Sequence, residues 1–177
     1  MRFRSLAPEE DYYKCAFEAC DFSDGLPIRA GFEDCVFKQC DFSLAKFSGY
    51  FNNVRFVECK MTGADFSQIQ RFSGAFCFEN SRMDYISFFG LKVRKSRFSG
   101  CDLHEAHFEE ADMAFSVFDR CDLAGAFFRG TYLESADFST AYNFSIDPGV
   151  NKLKKTVFPE SELRGLVAHL DIVIKRF

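Results

Sequence analysis

The 177-residue sequence contains no tryptophan, only four prolines and only three histidines. It also has no apolar run close to the length of a membrane span. Histidine, the commonest acid–base and metal-binding side chain, is therefore scarce, and there is no phosphate-binding loop, GxSxG motif or zinc-type cysteine spacing. The segment MRFRSLAPEED lacks the apolar region of a secretory signal. We expect a cytoplasmic protein that is not an enzyme and uses neither a metal nor a cofactor.

Phenylalanine is abundant instead, with 25 residues, and this bias predicts one kind of core position filled many times. From residue 81 an apolar residue recurs at every fifth position. The series is Met83, Phe88, Val93, Phe98, Leu103, Phe108, Met113, Phe118, Leu123, Phe128, Leu133 and Phe138. We call this position i; the residue at i−2 is mostly small, i−1 is often Asp, and i+1 is polar.

A period of five fits neither a helix nor one long strand. It favours very short strands separated by turns, because i and i−2 lie on the same face of a strand while i−1 and i+1 point to solvent. The same pattern occurs earlier in other phases, with a slip near Tyr50 and another between residues 68 and 80. We place Pro27 at i over Gly25 at i−2. The second slip leaves two choices open, Phe76 or Phe78 in one column and Arg71 or Phe72 in another.

After correction for the slips, similar residues recur about every twenty positions, which predicts four units in each turn of a coil. One column at i−2 contains Cys20, Cys40, Cys59, Ser81, Cys101 and Cys121. Seven of the eight cysteines occupy i−2 positions and only Cys77 does not. We interpret them as small buried residues and predict free thiols, not disulfides or metal ligands.

The units CDFSL, ADFSQ, CDLHE, ADMAF, CDLAG and ADFST resemble those of the pentapeptide repeat proteins. The resemblance covers roughly residues 10–140 and implies an all-β fold, a right-handed quadrilateral β-helix. We assign residues 1–140 to this solenoid, with about six to seven coils, and residues 141–177 to a C-terminal cap and dimerisation segment. His104, His107 and His169 are expected at the surface, and Asp at i−1 is expected to bond to nearby backbone amides.

The C-terminal segment predicts a short helix in PESELRGLVAHL, starting near Pro159, and a short strand in DIVIKRF. A solenoid end needs a cap, but the apolar residues here exceed what one end requires. We therefore predict a homodimer, while a segment that only caps stays an alternative. The predicted interface residues are Leu163, Leu166, Val167, Leu170, Ile172 and Ile174.

Acidic residues concentrate before this segment, because residues 102–137 contain nine acids against Arg120 and Arg129, a net charge of −7. The C-terminal segment resembles that of the Qnr and MfpA type, the quinolone-resistance subgroup of the family. This resemblance implies a DNA mimic that binds DNA gyrase or topoisomerase IV, with no direct contact to nucleic acid or membrane. The predicted partner-binding acids are Asp102, Glu105, Glu109, Glu110, Asp112, Asp119 and Asp122. The alternative is a protein-interaction scaffold or regulator that does not contact a topoisomerase.

Overall fold

The computed structural model of the protein describes residues 11–23, 27–69, 71–73 and 75–175, with residues 71–73 described by their backbone alone. Across these residues the chain forms short parallel strands followed by a 3-10 helix, Glu160–Leu166. The strands are β1 Tyr12–Tyr13, β2 Ala16–Glu18, β3 Pro27–Ile28, β4 Phe32–Glu33, β5 Val36–Lys38, β6 Lys46–Phe47, β7 Tyr50–Asn52, β8 Arg55–Val57, β9 Arg71–Ser73, β10 Cys77–Glu79, β11 Arg97–Ser99 and β12 Val117–Asp119.

Each turn of the coil has four sides, which we call the first to the fourth face in the order that the chain visits them after β1. The first face contains β2, β5, β8, β10, β11 and β12, and the fourth contains β1, β4, β7 and β9. The third face begins with β3 and β6, and single bridges such as Asp102↔Asp122 build the second. Every pairing is parallel and joins adjacent turns. The predicted quadrilateral β-helix is confirmed, and connections between parallel strands of this kind are right-handed.

Stacked aromatic rings fill the interior of the coil. On the first face, the rings of Phe98 and Phe118 are 4.9 Å apart and tilted by only 3°. On the third face, Phe47 and Phe66 have centroids 4.2 Å apart. Rings on neighbouring faces meet edge to face, as Phe98 does with Phe108 at 6.1 Å. Both arrangements are favoured by the ring quadrupole, so one residue type can serve several columns.

The structure settles the register at both slips and corrects one prediction. Phe78 lies in the first-face ladder between Phe56 and Phe98, and Phe72 pairs with Phe51 on the fourth face. The placement of Pro27 at i is wrong, because Ile28 pairs with Phe47 and is buried while Pro27 is exposed. The step from Ile28 to the next inward residue, Phe32, is therefore four residues and not five, as is the step from Phe47 to Phe51. The paired prediction at Gly25 falls outside the described residues.

The corners of the coil are formed by residues at i+2 with a left-handed backbone. Glu105, Glu110 and Phe115 have φ values of 50°, 58° and 62°, and Gly90 and Gly125 take the same conformation at equivalent corners. Asp at i−1 supports the strands between corners, as predicted. The Asp41 carboxylate, for example, accepts a hydrogen bond from the Ser43 backbone N–H at 2.9 Å.

The residues at i−2 are small enough for the corner, and they also take part in hydrogen bonds with the backbone. At many corners the i−2 N–H closes a turn, as Ala45 N–H does to the Phe42 carbonyl at 3.0 Å. In the cysteine column it instead donates to the side chain one turn further on: the Cys59 N–H bonds to Ser81 Oγ at 3.0 Å. The Cys59 thiol in turn donates to the Phe37 carbonyl at 3.5 Å. A thiol or hydroxyl at this position thus replaces a missing turn hydrogen bond.

The backbone ladder continues into the segment that we assigned to the cap. Tyr132 bridges to Lys152, and Asp137 bridges to Val157. The 3-10 helix then packs on the last turn so closely that a Cβ at Gly165 would lie 2.1 Å from the Phe144 carbonyl oxygen. The predicted helix is present as a 3-10 helix, but the strand predicted in DIVIKRF is absent from residues 171–175. Residues 176 and 177 fall outside the described residues.

Candidate functional site

The end of the coil exposes most of the apolar residues that we assigned to a dimer interface. Leu166 is partly buried against the core and so belongs to the cap, and Val167 is half-buried. The remaining predicted interface residues, Leu163, Leu170, Ile172 and Ile174, are exposed, and so is Val173 at 87% of its surface. The 3-10 helix itself buries no residue fully. The segment therefore presents unpaired apolar surface beyond the last turn.

The predicted acidic residues form a belt around one turn of the coil. Asp102 and Asp122 are successive residues of the second-face ladder, and Asp112 belongs to the fourth-face ladder. The remaining belt residues are Glu105 at the second corner, Glu109 and Glu110 at the end of the third face, and Asp119 on the first face. The seven residues thus follow one full turn of the chain, which brings Asp122 one level above Asp102, and they are spread over all four faces. We call this set the acidic belt.

Basic side chains neutralise part of the acidic belt. Arg94 contacts Asp112 with an N–O distance of 3.4 Å, and Arg120 contacts Asp119 at 3.1 Å. Hydrogen bonds from Ser99 and Thr140 lower the pKa of Asp119, which is therefore ionised. Glu105 and Glu110 are exposed and make no salt bridge within the described part of the chain. The strongest unpaired negative charge of the belt lies at these two corners.

A second cluster on the second face joins Asp84, Asp102 and His104, whose ligand-type atoms all lie within 4.8 Å of one another. The hydrogen bond to Asp102 raises the pKa of His104. Burial acts to raise the pKa of Asp102, but the hydrogen bonds from the His104 side chain and backbone outweigh it and lower that pKa. Asp84 is 8% exposed and is held by the Arg82 Nε at 2.8 Å. Because this guanidinium already occupies the carboxylate, the cluster is an ion-pair network.

The sequence analysis did not predict this cluster, although the positions of its three residues within the five-residue units could have indicated it. Asp84 and His104 are both at i+1 of the second face, and Asp102 is at i−1 beside His104. The pitch of the coil places residues twenty apart in contact. His107 pairs with Glu109 at 3.0 Å, and His169 lies 3.4 Å from Asp147. All three histidines are thus partnered by carboxylates and partly exposed, as a surface role requires.

The sequence profile of the pentapeptide repeat family, described as pentapeptide repeats, matches this chain at residues 96–134 and 113–141, in eight copies. The matched residues lie in the parallel coil whose five-residue units continue on both sides of them. The matches together span residues 96–141, so this part of the chain is similar to pentapeptide repeat proteins. No curated protein matches this chain by sequence.

Two named proteins are among the solved structures that match this chain. A trypsin-treated variant of QnrB1, a plasmid-mediated fluoroquinolone resistance protein, is 16% identical, with a TM-score of 0.45 over 96% of this chain and 97% of that chain. HetL, a pentapeptide repeat protein involved in heterocyst differentiation regulation from the cyanobacterium Nostoc sp. strain PCC 7120, is 12% identical. Its TM-score is 0.40 over 83% of this chain and 84% of that one.

Charge is separated between opposite faces of the coil. From residue 82 onward the second face carries four acids, Asp84, Asp102, Glu105 and Asp122, against Arg82. The fourth face over the same levels carries six bases against two acids. Its bases are Lys92, Arg94, Lys95, Lys152, Lys154 and Lys155, and its acids are Asp112 and Glu134. No helix among the described residues is long and apolar enough to span a membrane.

Proposed function

We propose that the protein is a non-enzymatic, dimeric DNA mimic that binds a type II topoisomerase, DNA gyrase or topoisomerase IV, in the cytoplasm. The observation that carries the proposal is the position of the acidic belt next to the exposed apolar end. Asp122 is one turn from Tyr142, and Asp112 is two turns from Lys152. At about 4.8 Å for each turn, the belt lies on the order of 5–10 Å from the end of the ladder.

Joining two such ends would place two acidic belts on either side of the joint. The negative potential would then be concentrated at the middle of the dimer, which is the arrangement that attracts a basic DNA-binding groove. Glu105 and Glu110 contribute unpaired charge to this potential, and Glu109 pairs only with His107 in the described residues. The resemblance to the Qnr and MfpA type supports the same partner.

The test is a DNA supercoiling assay with the host gyrase, with and without a quinolone. The triple variant Glu105→Lys, Glu109→Lys and Glu110→Lys is expected to lose inhibition or protection while keeping its fold, because these side chains face solvent. A control with the same charge change, Glu18→Lys, Glu33→Lys and Glu58→Lys, lies at the other end of the rod and is expected to act like the wild type. Absence of both inhibition and protection by the wild type at tens of micromolar would refute topoisomerase binding.

A general protein-interaction scaffold or regulator is the second candidate, and the charge separation between faces favours it. A mimic of duplex DNA needs negative potential around its circumference, whereas the fourth face of this rod is basic. If pull-down of the intact protein from host extract recovers neither gyrase nor topoisomerase IV but another stoichiometric partner, the scaffold is the better description.

A further inference from the structure

The basic fourth face has two levels of positive charge with exposed aromatic side chains between them. Its ladder runs Lys92, Asp112, Tyr132, Lys152 by successive parallel bridges. At the adjoining corner the equivalent residues are Lys95, Phe115, Ser135 and Lys155, all with a left-handed backbone. We call the surface formed by these two columns, together with Arg94 and Lys154, the basic face.

The outer levels of the basic face are entirely basic at their exposed positions. One level contains Lys92, Arg94 and Lys95, and the other contains Lys152, Lys154 and Lys155. Three turns separate them, so the two levels are about 14 Å apart at the spacing of parallel strands. Six cations on one side of a rod whose net charge is −4 are a local concentration, not a consequence of overall composition.

The two acids within the basic face do not cancel it. Arg94 already pairs with Asp112, and Lys154 Nζ lies 3.7 Å from Glu134 Oε1. Lys92, Lys95, Lys152 and Lys155 form no salt bridge with any described residue. The four ammonium groups are therefore available to an anionic partner that spans both levels.

Two aromatic side chains occupy the interval between the basic levels. Phe115 is 45% exposed and Tyr132 is 52% exposed. One side of the Phe115 ring faces the Arg94 guanidinium, whose central carbon lies 5.4 Å from the ring centroid. Among the phenylalanines whose exposure is described, Phe89 and Phe127 are the others that are exposed. The Phe115 ring differs from them in lying on the basic face, where it offers a flat stacking surface flanked by cations.

We propose that the basic face binds single-stranded nucleic acid, with its phosphates on the two lysine levels and its bases stacked on Phe115 and Tyr132. Lysine clusters neutralise phosphates, and exposed rings stack on any base. About 14 Å corresponds to roughly four nucleotides at 3.4 Å for each stacked phosphate. The acids of the second face lie on the opposite side of the coil and do not contact the strand. An acidic polypeptide also satisfies the lysines but makes no use of the rings.

The test is fluorescence anisotropy of a labelled twelve-residue oligothymidine with the full-length protein at low salt. The double variant Lys92→Glu and Lys152→Glu is expected to weaken binding at least ten-fold. The matched control, Lys38→Glu and Lys46→Glu, makes the same charge change on other faces and is expected to bind like the wild type. Equal loss in both variants would show attraction by overall charge only and would overturn the proposal, as would no binding by the wild type.

The aromatic residues give an independent readout. Phe115→Asn, chosen because Asn tolerates a left-handed backbone, combined with Tyr132→Ala is expected to weaken binding about five-fold or more. The slope of affinity against salt should not change, because no cation is removed. Circular dichroism of each variant verifies the fold. The proposal is rejected in favour of an acidic polypeptide if polyglutamate competes as well as unlabelled oligonucleotide and the aromatic replacements have no effect on binding.

Discussion

A single interior side chain in this coil has to satisfy backbone groups on two neighbouring turns. The Cys59 sulfur accepts from the Cys40 backbone N–H and donates to the Phe37 carbonyl. Burial raises the pKa of the equivalent Cys35 thiol, which keeps it protonated and able to donate. Ser81 performs the same function in the same column. The residue type at i−2 is therefore selected for a hydrogen-bonding atom as well as for small size.

Replacing Cys59 separates these two requirements. Cys59→Ser keeps a donor and an acceptor and is expected to change the free energy of unfolding by less than about 1 kcal/mol. Cys59→Ala leaves the Cys40 N–H without its acceptor and is expected to cost about 1–3 kcal/mol. Urea denaturation of both variants measures the difference. If Ala is tolerated as well as Ser, the thiol acts only by its size.

The His104–Asp102 pair makes stability depend on pH. Because the pKa of His104 is raised in the folded protein, its contribution is fully present below the unfolded pKa of about 6.5 and is lost as the pH rises through the folded value. His104→Gln is therefore expected to destabilise the protein more at pH 5.5 than at pH 8. The pair is partly exposed, so the difference should be roughly 0.2–1 kcal/mol. Equal destabilisation at both pH values in thermal or urea unfolding contradicts this.

The strands and corners differ in how far the sequence predicts them. The five-residue period is sufficient for the columns after residue 81, because every corner there uses a unit of the same length. The slip near Tyr50 is visible because Phe47 and Phe51 are both aromatic. The equivalent slip at Ile28 is hidden, since Pro27 is also apolar and keeps the phase of Phe32. Hydrophobicity alone does not show which residue of such a pair points inward.

Two glycines illustrate different needs at the corners. At Gly49, a Cβ would lie 1.9 Å from the Ala30 carbonyl oxygen, so the adjacent turn leaves no space for a side chain. At Gly90, φ is +67° but a Cβ would meet no atom within 4 Å. Gly49→Ala is expected to cost roughly 3 kcal/mol or more through overpacking. Gly90→Ala should cost only about 1–2 kcal/mol of backbone strain. Chemical denaturation of the two variants compares them, and equal losses would show that sterics at Gly49 are relieved by movement of the turn.

At the scale of the whole molecule, the candidate site could be only partly predicted. The sequence placed the seven acids at outward positions, and the pitch of the coil gathers them into one belt. Their distribution over four faces, the ion pairs of Asp112 and Asp119 and the basic fourth face depend on how residues about twenty apart are superimposed. A small error in register moves such charges from one face to another. The order of charged residues along the chain was therefore not sufficient to predict which face each of them occupies.

The exposed C-terminal segment gives a direct test of assembly. Leu170→Glu combined with Ile172→Glu is expected to convert a dimer to a monomer in light scattering at micromolar concentration, because charges would be buried at the joint. Leu44→Glu is the control, since Leu44 is 66% exposed on a distant corner. A monomeric wild-type protein would remove the dimer from the proposed function and leave the segment as a cap.

The buried cysteines of this column can also serve as probes of local opening in the coil. Buried thiols react with a soluble reagent only when their surroundings open, and Cys20, Cys40, Cys59, Cys101 and Cys121 each sit in a different turn. Under native conditions, the labelling rate of each thiol reports the local opening of its own turn. A gradient of rates from one end to the other would show fraying, whereas one common rate would show that the rod opens as a single cooperative unit.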